Sequence, residues 1–431
     1  MCNLSYERAM ATEAAPGYHA SPWPGEDGGP ARRVVPRARG LGLTPGERLV
    51  ATSRPCPIAN MVVLREPGEV FLQGSTSPGP DGAAFVERVH PESLETLARS
   101  PDLPAGGQWW PGGIAAHRNG YLYVTHGRFC HQLDPDLRVV ASRELPREAP
   151  YNSLLILSDG TLVMKDLQRA PARESAFVAL DPDGLRQIGP EVVIPEPSVA
   201  RISAECDPVA GDVVYAVGDR RVFRFRWRDG ALVRDADWAP TYRTAPDDQQ
   251  QFGWDAVLVD GAAWFMDNGS NDFAGSFRGR GHARGPLHLV RASLRDPADV
   301  RCEVPFGLAH GTIVNPPLVE PRRRIVVAFD SGNDRVAGFR YGDGPGLVRL
   351  WEHAFGTSSH FICWPDTGEI MVNDHRDDAG DHAVVLDVES GEERGRVAVQ
   401  SPLQSAVFPA AGFGRDLYWC SFSTVARVAV G

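Results

Sequence analysis

The sequence contains almost no lysine: of its 44 basic residues, only Lys165 is a lysine and the rest are arginines. An arginine side chain keeps its charge in any protein environment, whereas a buried lysine can lose its proton. Imine formation or base catalysis by an amine side chain can therefore come only from Lys165. We predict a functional role at this position, with an ordinary ion pair or a chance survivor as the alternative.

Several sequence features of membrane, zinc and exported proteins are also absent. No apolar run reaches the roughly 18 residues that would span a membrane. The seven cysteines never form a C-x-x-C pair. The N-terminus has neither the basic nor the apolar region of an export signal. These absences favour a cytoplasmic protein with free thiols and no membrane partner.

The charge and the motif content narrow the function further. The formal net charge of -11 argues against a nucleic-acid partner. Neither G-x-S-x-G nor H-E-x-x-H nor a Walker A motif is present, so the common hydrolase and nucleotide-binding signatures are excluded. A small-molecule substrate is the expected partner.

A repeated unit of about 40 to 57 residues runs from near Pro57 to near Val430. Each unit opens with a short apolar strand, as in PIANMVVL, YNSLLIL and FGWDAVLV. A turn and a second apolar strand follow, as in NGYLYVTH, DGTLVMKD and TGEIMVND. Gly, Asp and Pro at these turns favour tight hairpins. Eight units fit, so the sequence predicts an all-β, eight-bladed β-propeller, with seven blades as the alternative.

The region before the first unit predicts how the ring closes. Residues 1 to about 32 are rich in Pro, Gly, Ala and Glu without apolar periodicity, which predicts a flexible tail ahead of a propeller domain at 33–431. The last unit has room for only three strands, whereas RRVVP and ERLVATS precede the first unit. We expect one of these two pieces to supply the missing strand, because closure removes exposed sheet edges.

The repeated hairpins, in particular VVLDVESGEE, resemble the quinoprotein-type (PQQ-like) eight-bladed propeller superfamily. The resemblance spans nearly the whole predicted propeller and implies that fold. The chain lacks the adjacent cysteine pair and the regular Ala-x-Asp-x-x-x-Gly-x-x-x-Trp repeat of quinoprotein dehydrogenases. Bound PQQ is therefore not expected, and the cofactor stays open, with a divalent metal ion as one alternative.

The propeller geometry places Lys165 at one mouth of the central channel. The innermost strand of each blade begins, and the second strand ends, on the same face of the disc. Lys165 and Asp166 stand at the end of a predicted second strand, and Asp267 occupies the equivalent position in another blade. We predict Lys165 as a general base or imine former, with Asp166 or Asp267 as its electrostatic partner.

Aspartates recur at this strand-end position. Asp330 and Asp374 occupy it in two further blades, in addition to Asp166 and Asp267. An aspartate at a strand end commonly caps a turn by accepting backbone N–H groups. Capping is therefore the alternative to catalysis for all four.

Three histidines map to the same mouth from separate blades: His126, His310 and His360. They are predicted acid–base groups. His310 and His360, together with Asp255 or Asp374, would alternatively hold an open-sided divalent metal. An ordinary hydrogen-bonded histidine is the structural alternative for each.

Aromatic and polar residues at the same mouth are predicted to bind the substrate. They are Asn60, Trp110, Tyr151, Asn152, Trp254 and Asp255. The loop at 268–285 is longer than a hairpin needs, and its Arg278 and Arg280 are predicted to clamp a carboxylate or phosphate.

Together these features predict an enzyme that acts on a small organic metabolite in the channel. The expected chemistry is non-redox and acid–base or metal-assisted, of the lyase, isomerase or hydrolase kind. The alternative is a non-catalytic propeller that serves as a scaffold for protein–protein interaction. If the protein is an enzyme, we expect an enclosed polar pocket and a perturbed pKa for Lys165. If it is a scaffold, we expect a filled channel and a broad exposed apolar patch.

Overall fold

In the computed structural model, the chain forms eight four-stranded antiparallel sheets arranged in a ring. The structure describes residues 15–270, 281–403 and 408–431. The prediction of an eight-bladed β-propeller is confirmed, and the seven-bladed alternative is excluded. No helix in the described residues is long and apolar enough to cross a membrane.

The first four blades follow one another along the chain, and each runs from its innermost to its outermost strand. Blade 1 comprises β2 (Ala59–Leu64), β3 (Val70–Ser75), β4 (Ala84–Val89) and β5 (Thr96–Arg99). Blade 2 comprises β6 (Pro111–Ala116), β7 (Leu122–His126), β8 (Phe129–Leu133) and β9 (Val139–Glu144). Blade 3 comprises β10 (Leu155–Ile156), β11 (Leu162–Lys165), β12 (Ser175–Leu180) and β13 (Val192–Ile194). Blade 4 comprises β14 (Ser203–Glu205), β15 (Val213–Val217), β16 (Val222–Arg228) and β17 (Ala231–Arg234).

The remaining blades continue in the same order until the last, which combines strands from the two ends of the sequence. Blade 5 comprises β18 (Val257–Val259), β19 (Ala262–Met266), β20 (Leu289–Ser293) and β21 (Val300–Glu303). Blade 6 comprises β22 (Leu318–Glu320), β23 (Ile325–Asp330), β24 (Arg335–Tyr341) and β25 (Leu347–His353). Blade 7 comprises β26 (Ile362–Trp364), β27 (Glu369–Arg376), β28 (Gly380–Asp387) and β29 (Glu393–Ala398). Blade 8 comprises β30 (Ala410–Ala411), β31 (Asp416–Ser421), β32 (Thr424–Val430) and β1 (Leu49–Pro55).

Burial decreases from the innermost to the outermost strand of a blade. All six residues of β2 are buried, as are all six of β6, because both faces of an inner strand pack against neighbouring blades. Such strands read as continuous apolar runs in the sequence. The outermost strand β9 has no buried residue. The core is therefore a set of blade-to-blade interfaces around the channel.

The ring closes through β1, which pairs with β32 from Leu49 opposite Val430 to Pro55 opposite Thr424. The prediction that a piece ahead of the first unit supplies the missing strand is confirmed, and that piece is ERLVATS. RRVVP does not enter a sheet. It belongs to a segment that crosses one face of the ring.

The two faces of the ring differ in what covers them. We call the face where innermost strands begin the upper face, and the face where they end the lower face. Residues 15–48 cross the lower face, and their carbonyl oxygens accept N–H groups from the ends of innermost strands. These acceptors are Trp23 O for Leu64, Pro24 O for Ala116, Pro30 O for Ala204, Ala31 O for Leu258 and Val34 O for Cys363.

This segment departs from the flexible tail predicted for residues 1–32. From residue 15 onward it buries Tyr18, Trp23 and Arg32, each at 3% exposure or less. Its composition misled the prediction, because the partners that order it are strand ends far away in the sequence. Asp27 and Arg32 have φ values of 54° and 55°. The left-handed conformation costs roughly 1 kcal/mol or more per residue, so tertiary contacts must hold it.

Residues 26–32, which we call the plug, enter the channel from the lower face. The plug begins with a 3-10 turn at Glu26–Gly28, which contacts β6 and β30. Within the described residues, the plug therefore fills the channel from below.

Candidate functional site

A cavity of about 130 Å³, which we call the upper cavity, opens at the upper face. Its walls come mainly from residues that precede the innermost strands of blades 2 to 6 and 8. The hairpin geometry of each blade thus brings residues from distant parts of the sequence to one place. The lining residues are Trp109, Trp110, Pro111, Asn152, Arg169, Arg201, Trp254, Asp255, Gly269, Ser270, Val314, Asn315, Phe408 and Phe422.

Several residues of the upper cavity have buried polar atoms without partners in the part of the chain that the structure describes. These atoms include the indole Nε1 atoms of Trp109, Trp110 and Trp254, which have no hydrogen-bond acceptor among the described residues. They also include Asn152 Oδ1, which has no hydrogen-bond donor there. A buried polar group without a partner costs about 1–3 kcal/mol. Three donors and one acceptor without described partners thus belong to residues that line one aromatic cavity.

Arg201 forms part of the cavity wall and joins three blades. Its Nη1 donates hydrogen bonds to Gly112 O at 2.6 Å and to Asn152 O at 2.9 Å, and its Nη2 donates to Pro111 O at 2.8 Å. Its Nε lies 3.1 Å from Glu26 Oε1 in the plug. Because these contacts fix the guanidinium, it places a positive charge at the base of the cavity.

The plug beneath Arg201 holds a compensated cluster of charges. Arg32 is fully buried and lies 2.8 Å from Asp27 and 3.2 Å from Glu26. Asp27 Oδ1 is 2.7 Å from His360 Nδ1. Burial alone would raise the pKa of Asp27, but His360 and Arg32 outweigh burial and lower it. Opposite charges thus compensate one another at the closed end of the channel.

Asp255 is the ionisable acid on the wall of the upper cavity. It is 2% exposed, and its Oδ1 accepts the Arg201 backbone N–H at 2.6 Å. Its Oδ2 lies 3.8 Å from Arg32. Burial raises the pKa of Asp255, although Arg32 and Arg201 oppose that rise. Burial thus favours the protonated form of this carboxyl group, a property that recurs in groups that transfer protons in enzymes.

Arg169 lies at the rim of the upper cavity without a carboxylate partner among the described residues. Its guanidinium carbon is 5.8 Å from the Phe252 ring centroid. Burial lowers the pKa of Arg169. An unpaired guanidinium at the rim would attract an anionic group on a ligand.

The structure brings four predicted substrate-binding residues together in this cavity: Trp110, Asn152, Trp254 and Asp255. Two others lie outside its lining. The Tyr151 hydroxyl accepts the Arg147 backbone N–H at 3.2 Å, and Asn60 Nδ2 donates to Ser75 Oγ at 3.3 Å. Arg278 and Arg280, and with them the predicted anion clamp, lie outside the described residues.

Lys165 is buried but does not line the upper cavity. Its Nζ donates hydrogen bonds to Asp166 O at 2.7 Å and to Ser198 O at 2.8 Å. Burial lowers the pKa of Lys165 to about 7, opposed by Asp166 and Asp255. The expected perturbation is therefore present. A base or imine former must reach its substrate, however, and this amine is held between backbone carbonyls behind the wall.

The four strand-end aspartates share the capping contact that was the alternative to catalysis. In each, Oδ1 accepts a backbone N–H group, which is the contact of a capping aspartate. The pairs are Asp166 with Ala176 at 2.7 Å, Asp267 with His288 at 2.8 Å, Asp330 with Thr312 at 3.1 Å and Asp374 with Gly356 at 3.2 Å. None of the four lines the upper cavity.

The three predicted histidines make separate contacts and do not line the upper cavity. His126 Nε2 lies 3.4 Å from Ser75 Oγ, and burial lowers the pKa of His126 to about 3. His310 Nδ1 lies 3.0 Å from Gly281 O. His360 contacts the plug and packs against Phe408 with ring centroids 4.6 Å apart. The expected convergence of these histidines on one mouth therefore does not occur.

The residues predicted to bind a metal do not form one cluster in the described structure. Within the described residues, the group with metal-ligand spacing is Glu26, Asp27 and His360, with ligand atoms within 4.8 Å of one another. Arg32 and Arg201 already supply positive charge to these carboxylates, so the site does not fit a divalent cation. Asp374 is likewise paired, with Arg376 at 2.9 Å and Arg396 at 2.6 Å.

Sequence reasoning missed several residues of the cavity, above all Arg201. Arg201 precedes β14 as Asn152 precedes β10 and Asp255 precedes β18, so its position ahead of an innermost strand was the available signal. Asn315 precedes β22 in the same way and donates to Ser358 O at 2.5 Å. Phe408 and Phe422 gave no comparable signal, because isolated aromatic residues are usual in strand-rich cores.

Comparisons with known proteins bear on the fold. No family model matches the chain, and no curated protein matches it. A europium-containing methanol dehydrogenase is similar in structure, with a TM-score of 0.61, 10% identity, and coverage of 96% of this chain and 91% of that chain. A quinohemoprotein alcohol dehydrogenase from Comamonas testosteroni matches with a TM-score of 0.61, 10% identity, and coverage of 99% and 82%.

A protein that was solved with a bound partner is also similar. Sqt1 from Chaetomium thermophilum, solved bound to the N-terminus of ribosomal protein L10, matches with a TM-score of 0.53, 11% identity, and coverage of 85% of this chain and 94% of that chain. At such identities the likeness shows the fold alone. The chain has the PQQ-like eight-bladed propeller fold that its repeated hairpins implied.

Proposed function

We propose that the protein is an enzyme that acts on a small organic molecule in the upper cavity by non-redox acid–base chemistry. The observation that carries this proposal is the buried Asp255 carboxyl group on the wall of an aromatic cavity, where three indole N–H groups have no partner among the described residues. A reaction of the lyase, isomerase or hydrolase kind needs such a proton-transfer group close to bound substrate.

Asp255 Oδ2 is the proposed site of proton transfer. Its other oxygen, Oδ1, already accepts the backbone N–H of Arg201. When ionised, Asp255 would take a proton from the substrate onto Oδ2; when protonated, it would return that proton to the product or leaving group. The fixed Arg201 charge nearby would stabilise negative charge that develops on the substrate.

The other cavity residues would bind and orient the substrate. The rings of Trp109, Trp110 and Trp254 would pack against its apolar part, and their N–H groups would donate to its acceptor atoms. Asn152 Oδ1 would accept a hydrogen bond from a donor on the substrate. Arg169 at the rim would favour a molecule with an anionic group.

The predicted catalytic roles of Lys165, Asp166, Asp267 and the three histidines are not needed in this proposal. Lys165 would instead hold the loop at Ser198 to the end of β11 through its two carbonyl contacts. The chemistry is also proposed without a metal, because the carboxylates nearest the cavity base are paired with arginines.

The scaffold alternative has weaker support. It expects a broad apolar patch, whereas exposed apolar residues lie on the outermost strands of different blades. Examples are Val50, Leu97, Val193, Val233 and Val348, with exposures from 42% to 65%. A cytoplasmic location remains part of the proposal and agrees with the six described cysteines, which are all free.

Native mass spectrometry of the purified protein, compared with the denatured protein, tests for a bound molecule. Asp255→Asn should retain that molecule, or its binding when it is added back, but lower its turnover at least about 100-fold. Asp330→Asn is the matched control, since Asp330 is also buried with a raised pKa but does not line the cavity. Full activity of Asp255→Asn would sink the proposed role.

A further inference from the structure

The plug lies beneath the upper cavity and contacts two residues of its wall. Glu26 Oε1 is 3.1 Å from Arg201 Nε, and Arg32 Nη1 is 3.8 Å from Asp255 Oδ2. Arg201 and Asp255 both line the cavity and belong to the proposed catalytic site. The segment that fills the channel from below therefore also reaches the two charged groups that would act on the substrate.

The plug also contacts the cavity wall through His360. Asp27 Oδ1 lies 2.7 Å from His360 Nδ1, and the His360 ring packs against Phe408, which lines the cavity. The guanidinium carbon of Arg201 is 5.7 Å from the centroid of the same Phe408 ring. Two separate sets of contacts thus join the plug to the wall of the upper cavity.

The charged residues of the plug are more than the channel needs for packing. The side chains of Glu26, Asp27 and Arg32 are buried, with exposures of 9%, 2% and 2%. A buried set of ion pairs is often no more stable than apolar side chains of similar volume. The charge of the plug therefore favours a role beyond filling space.

Two plug residues of opposite charge act on the Asp255 carboxyl group. Burial raises the pKa of Asp255, Arg32 and Arg201 lower it, and Glu26 raises it further. Lys165 also interacts electrostatically with Asp255. The charged groups facing Asp255, among the described residues, thus come from the plug, from the residue ahead of β14 and from the end of β11.

We propose that the plug is a positioning element of the enzyme, in which Arg32 and Glu26 hold Asp255 and Arg201 in the orientation and charge state that proton transfer requires. Arg32 would stabilise the ionised form of Asp255, which accepts a proton, and Glu26 would limit that effect. Neither lines the upper cavity, so both act through other residues. The inference rests on the proposed function, because Asp255 is the proposed proton-transfer group.

The effect of the plug on Asp255 can be measured without a substrate. Trp254 precedes Asp255 and also lines the cavity, so its fluorescence should report the titration of this carboxyl group. Each protein is titrated beside the same protein carrying Asp255→Asn, and the difference isolates Asp255. The test variants are Arg32→Met and Glu26→Gln. Arg37→Met is the matched control, because Arg37 is a half-buried arginine of the same segment that donates to a backbone carbonyl oxygen.

We expect the titration midpoint of Asp255 to move in opposite directions in the two test variants. Loss of the Arg32 charge should raise the midpoint by about one pH unit or more, and loss of the Glu26 charge should lower it. The pH profile of turnover should move in the same directions, whereas Arg37→Met should leave both unchanged. A purely structural role of the plug predicts no such opposite shifts.

Unmoved midpoints, shifts in the same direction, or an equal shift in Arg37→Met would overturn the inference. If Arg32→Met does not fold, Glu26→Gln decides, because glutamine keeps the size of the side chain and removes only its charge. Full activity of Asp255→Asn would contradict the proposed function and with it the part of the plug in catalysis. Loss of activity in Asp255→Asn together with unmoved midpoints would contradict the role of the plug alone.

Discussion

The two ends of the central channel solve the problem of buried polar groups in opposite ways. At the lower end, the plug supplies a partner for each charge: Arg32 meets Glu26 and Asp27, and Asp27 meets His360. At the upper end, indole N–H groups and an amide oxygen have no partner among the described residues. Since unpaired buried groups are costly, we propose that a ligand completes the upper end, whereas the plug completes the lower end.

Arg32→Met tests the lower end and carries the largest expected effect. The substitution keeps an unbranched side chain but leaves Glu26, Asp27 and Asp255 without a shared cation. Breaking a buried ion pair from one side costs about 3–5 kcal/mol, which urea unfolding would measure. Arg138→Met is the control, because Arg138 is 74% exposed and its ion pairs should contribute less than about 1 kcal/mol. Similar losses for both variants would remove the contrast between compensated and exposed charge.

Lys165 differs from the buried Arg32 of the plug, because its amine donates hydrogen bonds to backbone carbonyl oxygens and not to carboxylates. Its folded-state pKa of about 7 lies below the usual value near 10.4 in an unfolded chain, so the unfolded state binds the proton more tightly. The stability of the wild type relative to Lys165→Met should therefore rise between about pH 7 and pH 10, by up to about 1.4 kcal/mol per pH unit. Unfolding measured across that range checks this, and a difference that falls with pH would contradict the burial argument.

The smallest expected effect comes from substituting two tryptophans, one in the upper cavity and one outside it. Trp254 and Trp351 are 8% and 7% exposed, but only Trp351 donates its Nε1 hydrogen, to Val388 O at 2.9 Å. Trp351→Phe should thus cost about 1 kcal/mol more than Trp254→Phe in the protein without ligand. Once the ligand of the upper cavity is added, Trp254→Phe should lose more ligand-induced stabilisation than Trp351→Phe. A thermal shift series would show both, and unchanged ligand stabilisation in Trp254→Phe would place the ligand elsewhere.

The ring was predictable from the sequence because its determinants are local. Each hairpin has its own turn residues, and the innermost strands have apolar runs, as in ANMVVL and PGGIAA. The plug was not predictable in the same way. Residues 26–32 have no apolar periodicity, and their order depends on His360, Arg201 and Asp255, none of which is near them in the sequence.

The candidate site was predictable in part, through position rather than composition. Trp110, Asn152, Trp254 and Asp255 were found because residues that precede innermost strands converge on the upper face. Arg201 also precedes an innermost strand, but it was not predicted. The scarcity of lysine pointed to Lys165 instead, and Lys165 does not line the cavity. Rarity of a residue type carries no information on where its side chain points, whereas register within a repeated hairpin does.

The distance along the chain between Asp27 and His360, 333 residues, sets an order on biosynthesis. The plug is made before any blade, yet its histidine partner arrives only with blade 7, and β1 waits still longer for β32. An unpaired acidic segment and an open ring therefore coexist on the ribosome for most of translation. Assembly of the channel floor and closure of the ring become late, nearly simultaneous events, and a nascent chain stalled before blade 7 has neither.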